Sequence, residues 1–492
     1  MTTRTEVLII GAGMSGIAQA VECVRRGISF VVLEKADDLG GTWRENTYPG
    51  AACDIESYLY SYSHTKNPRW GSTYAGQQEI HAYLGEVARK WGVRPRIRFG
   101  TTVTHAEWDE ARAEWRTSTS DGQLHVSAFL VLGVGGLHVP SVPELPGAAE
   151  FQGVSWHSSQ WNHDEDLTGK HVALVGVGAS GVQVAAHLAE RAASLTIFQR
   201  TAPWVLPKAD LPTPAWQQRL FRLLPITQSW QRLRLYLRRE RRGLGFHSKP
   251  DALRVAEPIA LRHIENHLTD PALRALVTPT YQLGCKRVLF SNDYYAALAR
   301  PHVRVVAGSP AALRPGTVVD DTGTEHKADV VVYATGFDLT GSFDRIDIRG
   351  IGGQRLRDVW RTGPLTYNGV TVPGLPNMFI LLGPNGFAPY TGAVHNIEAQ
   401  ARYVVKAIRA AGARALHVRA EATERFQIEL RRRFAHTVWH NAHCRNWYQS
   451  PAPGGTVLWP GSTLAYQWRL RRLRRADYHF TGNVGDGRAG AA

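Results

Sequence analysis

The feature that most restricts this chain is a pattern that occurs twice: an apolar strand, a turn of the form G-x-G-x-x-G, and a stretch of helical composition. The first copy is Val7-Leu8-Ile9-Ile10 followed by Gly11-Ala12-Gly13-Met14-Ser15-Gly16. The second starts its turn 165 residues later, with Val172-Ala173-Leu174-Val175 leading into Gly176-Val177-Gly178-Ala179-Ser180-Gly181. The first glycine serves a tight turn, the second a close approach of backbone to a pyrophosphate, and the third close helix packing. The helix after the turn offers unpaired N–H groups to phosphates. The chain is therefore predicted to be α/β, with two Rossmann-like dinucleotide-binding domains.

The two copies differ in the charge that ends their second strand. The strand Phe30-Val31-Val32-Leu33 ends in Glu34, 18 residues after Gly16. A carboxylate there accepts hydrogen bonds from both hydroxyls of an unphosphorylated ribose. The corresponding strand of the second copy, Leu195-Thr196-Ile197-Phe198, ends in Gln199-Arg200-Thr201. A guanidinium with a neighbouring hydroxyl suits a 2′-phosphate, which an acid would repel. The first unit is expected to hold an adenine dinucleotide with a free ribose and the second to prefer NADPH over NADH. That division suggests a flavin domain beside a nicotinamide domain.

On this reading residues 1–150 form the first segment of the FAD-binding domain and 151–326 the NADP-binding domain. A helical insertion at about 208–280 lacks a strand pattern and is broken by Pro225, Pro250, Pro258 and Pro271. Residues 327–492 are the second FAD-domain segment and the C-terminal region. Asp329-Val330-Val331-Val332-Tyr333 reads as a buried strand whose Ala334-Thr335-Gly336 turn sends the chain back to the first domain.

Four scattered cysteines (Cys23, Cys53, Cys285, Cys444) with no C-x-x-C pair disfavour a disulfide framework, a zinc ribbon and a vicinal dithiol, so no metal is expected. No apolar run approaches the ~20 residues of a membrane span. Glu6 beside the first apolar run does not read as a secretory signal, and a cytoplasmic location is expected. The net charge of +15 is uneven. Arg219, Arg222, Arg232, Arg234, Arg238, Arg239, Arg241 and Arg242 face a single Glu240, and Arg469, Arg471, Arg472, Arg474 and Arg475 form a second cluster. Solvated helix faces are the first reading, and a weak membrane-surface or polyanion association the second. No nucleic-acid module accompanies them, so no nucleic-acid partner is expected.

Between the two copies lies Phe151-Gln152-Gly153-Val154-Ser155-Trp156-His157-Ser158-Ser159-Gln160-Trp161-Asn162. This F-x-G-x-x-x-H-x-x-x-W run resembles the fingerprint of the Baeyer–Villiger monooxygenases, which usually continues with Pro or Asp where this chain has Asn162. Four fixed residues would coincide by chance only about 0.002 times at this composition. The flavin-containing N- and S-monooxygenases share the frame but usually carry Phe or Tyr in place of Trp161. The resemblance runs from Gly11 to about Trp459. It implies a flavoenzyme with FAD and NADPH as cofactors that uses O₂ to turn a small-molecule ketone into an ester or lactone through a C4a-peroxyflavin. A sulfide is a side substrate. A flavin-containing N- or S-oxygenase is the alternative; a non-enzymatic NADP(H)-binding or polyanion-binding protein is the alternative of another class.

The same resemblance implies roles. Gly40-Gly41-Thr42-Trp43 and the run from Tyr48 through Asp54 to Ser57 resemble a flavin-contacting segment whose aspartate faces the reaction site. Cys285-Lys286-Arg287 resembles the segment that carries the active-site arginine. A guanidinium stays cationic throughout, so Arg287 is expected to act electrostatically on an oxygen anion rather than as a proton shuttle. Asp54 would orient it and strengthen its donor character. The expected FAD contacts are Gly11, Gly13, Met14, Ser15, Gly16, Glu34, Gly41, Thr42, Trp43, Asp54, Tyr60 and Val103. The expected NADP contacts are Gly176, Gly178, Ala179, Ser180, Gly181, Arg200, Thr201, Lys286 and Trp447, with Lys286 as a second cation for the 2′-phosphate or else pointing to solvent. Phe151, Gly153, His157 and Trp161 are expected at an interdomain hinge, with His157 a positioning or merely structural residue. The segment Gly386-Phe387-Ala388-Pro389-Tyr390 is expected to border the pocket.

Overall fold

The apolar runs before the two glycine turns become inner strands of two separate sheets in the computed structural model, which describes residues 2–339, 341–441, 446, 448–449 and 455–482. In the first sheet, Thr2–Ile10 lies parallel to Phe30–Leu33 on one side and to Leu124–Leu132 on the other. Val7, Leu8 and Ile9 are fully buried, as a parallel strand covered on both faces must be. The strand Leu124–Leu132 changes partner along its other edge. It runs antiparallel to Glu114–Thr119 as far as Ser127, then parallel to Met378–Ile380 from Leu130 onward. Val103–Asp109 and Asp347–Arg349 extend the meander, so two strands from the last third of the chain enter a sheet begun at residue 2.

The second sheet has five parallel strands in the order Val303–Ala307, Ser194–Gln199, His171–Val175, Val330–Tyr333, Val154–His157. This corrects the boundary read from the sequence at 326/327. Val330, Val331 and Val332 are fully buried between two neighbours of the second sheet, and the chain leaves that sheet only after Tyr333. The returning segment Phe337–Asp338 then pairs antiparallel with the outgoing Val139–Pro140. Ser141 also donates to the Gly336 carbonyl at 2.9 Å, so the two crossings between the sheets are zipped to each other.

The insertion is helical as read, but it divides between the two cores. Ala215–Leu223 and Pro225–His247 bury Phe221, Leu235 and Tyr236 against Ile55, Tyr58 and Leu59 of the first domain. Glu257–His267 and Pro271–Val277 place Ile264 and Val277 in the core of the second. A solvated face is also the wrong reading for two of the eight arginines, Arg232 and Arg239, while Arg238 stays exposed. Arg232 donates to the carbonyls of Tyr58, Leu59 and Ser61 at 3.0, 3.1 and 2.6 Å, while Arg238 and Arg239 grip Glu56 at 2.7 and 2.8 Å.

The two glycine turns are near-copies. Gly11 and Gly176 have φ of +98° and +100°, and a Cβ on them would stand 2.7 and 2.6 Å from the carbonyl oxygens of Gly133 and Ala334. A Cβ on Gly16 or Gly181 would come within 1.8 or 2.1 Å of the carbonyl oxygen opening its own turn. Gly16→Ala is therefore expected to lower unfolding stability by at least about 1–3 kcal/mol through overpacking. Gly85→Ala, in the helix Gln77–Lys90 with open space around it, should raise it by about 0.5–1 kcal/mol. Denaturant unfolding of the two variants checks this; shifts of the same sign would contradict it.

Candidate active site

The middle glycines behave differently from the outer ones. A Cβ on Gly178 would meet no protein atom within 4 Å, and one on Gly13 would meet only the Gly41 backbone, at 3.5 Å or beyond. Packing within the chain demands the outer glycines but leaves room above the middle ones, as a close-approaching pyrophosphate requires. The helices Met14–Arg26 and Ala179–Arg191 begin at these glycines with no side-chain cap, so their first N–H groups are uncapped.

Glu34 stands at the first cradle, its Oε2 accepting from the Ala12 N–H at 2.6 Å and its Oε1 from the Ala36 N–H at 2.9 Å. Each oxygen keeps a lone pair for a ribose hydroxyl. Ser15 is buried in the first helical turn, and the Met14 carbonyl accepts from Tyr62 Oη at 2.5 Å. Thr42 opens the short helix Thr42–Glu45 after Gly41, and the Trp43 indole donates to Tyr60 Oη at 3.1 Å. Val103 opens its strand two residues after Thr101, whose N–H donates to the Glu34 carbonyl at 2.9 Å. These residues fit an adenine dinucleotide with a free ribose.

At the second cradle Arg200 and Thr201 are exposed just beyond Ser194–Gln199. The Lys286 ammonium sits 5.0 Å over the Tyr281 ring, and burial, with the nearby charge of Arg200, lowers its pKa. Two mutually repelling cations are what an added phosphate would relieve. Trp447 lies outside the described residues.

A segment of the first domain is wedged against this helix. Tyr48 Oη donates to Gln183 Oε1 at 2.8 Å, and Gln183 Nε2 donates back to the Ala52 carbonyl at 2.9 Å. Burial pushes the Tyr48 phenol up to about 12, against a hydrogen bond with Ser180. A Cβ on Gly50 would meet the His187 ring at 2.6 Å.

The wedge ends at Asp54, where the two domains meet through charge. Arg287 Nε and Nη2 donate to Asp54 Oδ2 and Oδ1 at 2.7 and 2.6 Å, a bidentate pair. Nη1 donates to the Pro389 carbonyl at 3.3 Å. The side chains remain 28% and 22% exposed, so the pair keeps an accessible edge. Burial opposes both charges. The Asp54 carboxylate nonetheless holds Arg287 protonated, above its ordinary range. Arg287, with Arg239 behind it, holds the Asp54 carboxyl below its own. Arg239 donates to the Asp54 carbonyl at 3.2 Å. Tyr448 is buried beside the pair, and burial pushes its phenol up to about 12 against the opposing pull of Arg287. Asn446 Nδ2 reaches Cys285 Sγ at 3.4 Å, so the C-terminal segment touches the arginine's own loop.

Tyr48, Gln183, Arg239 and Tyr448 are not among the residues expected from sequence. Tyr48 opens the run quoted above that ends at Ser57, and Tyr448 directly follows Trp447, so an aromatic beside a named residue is the available signal. Arg239 is hidden in an arginine run, where only its helical phase distinguishes it.

Of the fingerprint residues, His157 faces the crossing, while Phe151, Gly153 and Trp161 pack within the second domain. The His157 ring lies 5.2 Å from the Phe337 ring in the returning segment, with Nδ1 2.8 Å from Ser159 Oγ; burial lowers its pKa. A Cβ on Gly153 would stand 2.2 Å from the Asp329 carbonyl and 2.6 Å from the Phe151 ring, which leaves only glycine. Trp161 packs edge-on against Trp156 at 5.7 Å.

Comparison with known proteins places this geometry among relatives. The model of the family described as flavin-binding monooxygenase-like matches residues 4–215. A Baeyer–Villiger monooxygenase of Pseudomonas aeruginosa is 38% identical over 97% of this chain and 91% of its own length. One of Streptomyces coelicolor is 39% identical over 96% of this chain and 92% of its own. Among solved structures, an oxidized steroid monooxygenase bound to NADP superposes with a TM-score of 0.87 at 29% identity, covering 97% of this chain and 99% of that one. A complex of OTEMO with FAD and NADP gives a TM-score of 0.87 at 27% identity over 98% of this chain and 100% of that one.

The Asp54 carboxyl is held down in the folded state, so its contribution to stability is present above the ordinary carboxylate range and lost as pH falls through the lowered value. The stability difference between the wild type and Asp54→Asn should therefore be largest near neutrality and shrink as pH drops from about 5 to about 3. Chemical unfolding across that range checks it. A gap independent of pH would contradict the charged pair.

Proposed function

The chain belongs to the Baeyer–Villiger monooxygenases, and from that membership we propose that Arg287, held by Asp54, is the catalytic cation with which it converts a ketone into an ester or lactone. It is an FAD-dependent monooxygenase that uses NADPH and O₂. When bound, FAD and NADPH supply the redox chemistry: the nicotinamide gives reducing equivalents and the flavin activates O₂.

The rest is the work of this chain's residues. The first glycine turn and Glu34 hold the FAD pyrophosphate and ribose; the second turn, Arg200 and Lys286 hold NADPH with its 2′-phosphate. Arg287 presents a fixed positive charge where negative charge develops on oxygen, in a site whose partial burial strengthens the interaction. Asp54 is a positioning residue. It takes two of the guanidinium's five donors, and with a third on the Pro389 carbonyl the partly exposed cation keeps donor capacity for the reacting oxygen. The Pro389 carbonyl fixes the second edge of the guanidinium and supports placing residues 386–390 at the substrate pocket. His157 does no proton transfer on this reading; it steadies the crossing between the domains. Sulfide oxidation is a side activity of the same site, and the cytoplasm is its location.

The observation that carries the proposal is the bidentate Arg287–Asp54 pair with an accessible edge, at the meeting of the two cradles. No observation favours an N-oxygenase reading over it, and a non-enzymatic binding role does not fit the family.

Arg287→Ala should leave anaerobic bleaching of the bound flavin by NADPH within several-fold of wild type. It should lower ketone oxygenation by about a hundredfold or more. Gas chromatography of the ester together with flavin absorbance checks this, and normal ester yield would contradict the assignment. Arg200→Ala should weaken NADPH binding by on the order of 1.5 kcal/mol, close to tenfold, and leave NADH nearly unaffected. Steady-state kinetics with both coenzymes reads the change, and an unaltered preference would refute the phosphate contact.

A further inference from the structure

The arginine-rich helix Pro225–His247 has two unlike faces. Its inner face is built into the first domain through Leu235, Tyr236 and the internal contacts of Arg232 and Arg239. Its outer face repeats at intervals of four, three, four and seven residues as Ile226, Trp230, Leu233, Leu237 and Leu244, all exposed. The preceding helix adds Trp216, Leu223 and, at its end, Leu224. Trp216 and Trp230 are each 67% exposed and Leu223 is 73% exposed, although single exposed apolar residues would need no explanation.

Charge says what covers this face. Arg219, Arg222, Arg234, Arg241 and Arg242 are exposed among these apolar residues, and none of them holds a carboxylate among the described residues. Between residues 211 and 249 the sequence has one acid, Glu240, and it accepts instead from the backbone and hydroxyl of Thr463. That contact brings in the second arginine cluster. Thr463 Oγ1 and Gln467 Nε2 lie 3.1 and 3.3 Å from Tyr236 Oη, which docks the helix Thr463–Arg469 on the first. Its exposed residues are again apolar, Leu464 and the 70% exposed Trp468. They border a cavity of about 330 Å³ whose other walls carry Arg402, Lys406 and Arg471.

We propose that these two helical faces form one docking surface for an anionic phospholipid bilayer. The tryptophan and leucine side chains enter the boundary between headgroups and acyl chains, where amphipathic indoles and aliphatic side chains are favoured. The arginines pair with headgroup phosphates, and the cavity beside Trp468 receives one of them. A second copy of the chain is a poor occupant, because self-association would oppose arginine to arginine with no acid on this face to compensate. A nucleic acid would leave the aliphatic stripe in water. The inner side of the same helix touches the reaction site: Arg239 reaches the Asp54 carbonyl at 3.2 Å, and Gly243 lies flush against the Tyr390 ring. Docking would thus put the site one helix thickness from a reservoir of apolar small molecules. Lipid binding itself does not depend on the oxygenation chemistry.

The test is co-sedimentation of the FAD-loaded enzyme with vesicles, in low and high salt. Phosphatidylcholine alone is compared with an equal mixture of phosphatidylcholine and phosphatidylglycerol. The enzyme should pellet with the anionic vesicles and be released by salt. Binding should fall about tenfold or more in Trp230→Gln/Leu233→Gln/Leu237→Gln, and likewise in Arg234→Ala/Arg241→Ala/Arg242→Ala. NADPH oxidation with a water-soluble ketone should stay unchanged in both variants, which shows that they fold. Equal pelleting of wild type and both variants would overturn the proposal. So would a wild-type dimer, seen by light scattering, that the first variant dissociates while no form binds vesicles.

Discussion

The carboxylate of Asp54 and the guanidinium of Arg287 come from segments 233 residues apart, and neither charge can sit this close to the protein interior without the other. Removing one partner of such a pair strands the other, at a cost of about 3–5 kcal/mol when both are fully buried and less for this partly exposed one. The surroundings are arranged to hold both. Glu56, two residues beyond Asp54, anchors Arg238 and Arg239, and Arg239 returns a donor to the Asp54 carbonyl. On the other side, the Pro389 carbonyl accepts from a third donor of the guanidinium, Nη1. Three distant pieces of chain are therefore held in register by one cation.

That register depends on how the two sheets are joined. The outgoing and returning crossings are hydrogen-bonded to each other, and His157 packs on Phe337 at their junction. The helical insertion adds a second tie, because its first half is buried in one domain and its second half in the other. The Tyr48–Gln183 bonds make a third. Opposite charges then divide the labour between near-identical turns. A carboxylate at the first suits a bare ribose, and two cations at the second suit a phosphorylated one.

Much of this is legible in the sequence because glycine requirements are local. Gly11, Gly16, Gly176 and Gly181 are each fixed by a carbonyl a few residues away or on the neighbouring strand, so spacing alone reveals the turn. Glu34 and Arg200 are readable for the same reason, standing at strand ends that the turn defines. The Arg287–Asp54 pair is reached through resemblance, since nothing in residue spacing joins positions 233 apart. The strand Val330–Tyr333 is recognisable as a strand, but the sequence reading puts it on the wrong side of the domain boundary, because an all-buried run looks alike in either sheet. The arginines mislead in part. Arg232 and Arg239 carry the same charge as Arg234 and Arg241, and only their phase on the helix sends them inward to carbonyls and carboxylates.

The most direct test traces one oxygen atom. The FAD-loaded enzyme, NADPH and a simple cyclic ketone are mixed under ¹⁸O₂, and the product is analysed by mass spectrometry while NADPH consumption is recorded. Oxygen transfer at the Arg287–Asp54 site predicts one ¹⁸O atom in each lactone molecule and close to one lactone for each NADPH oxidised. Unchanged ketone, with all the label recovered as hydrogen peroxide or water, would contradict it.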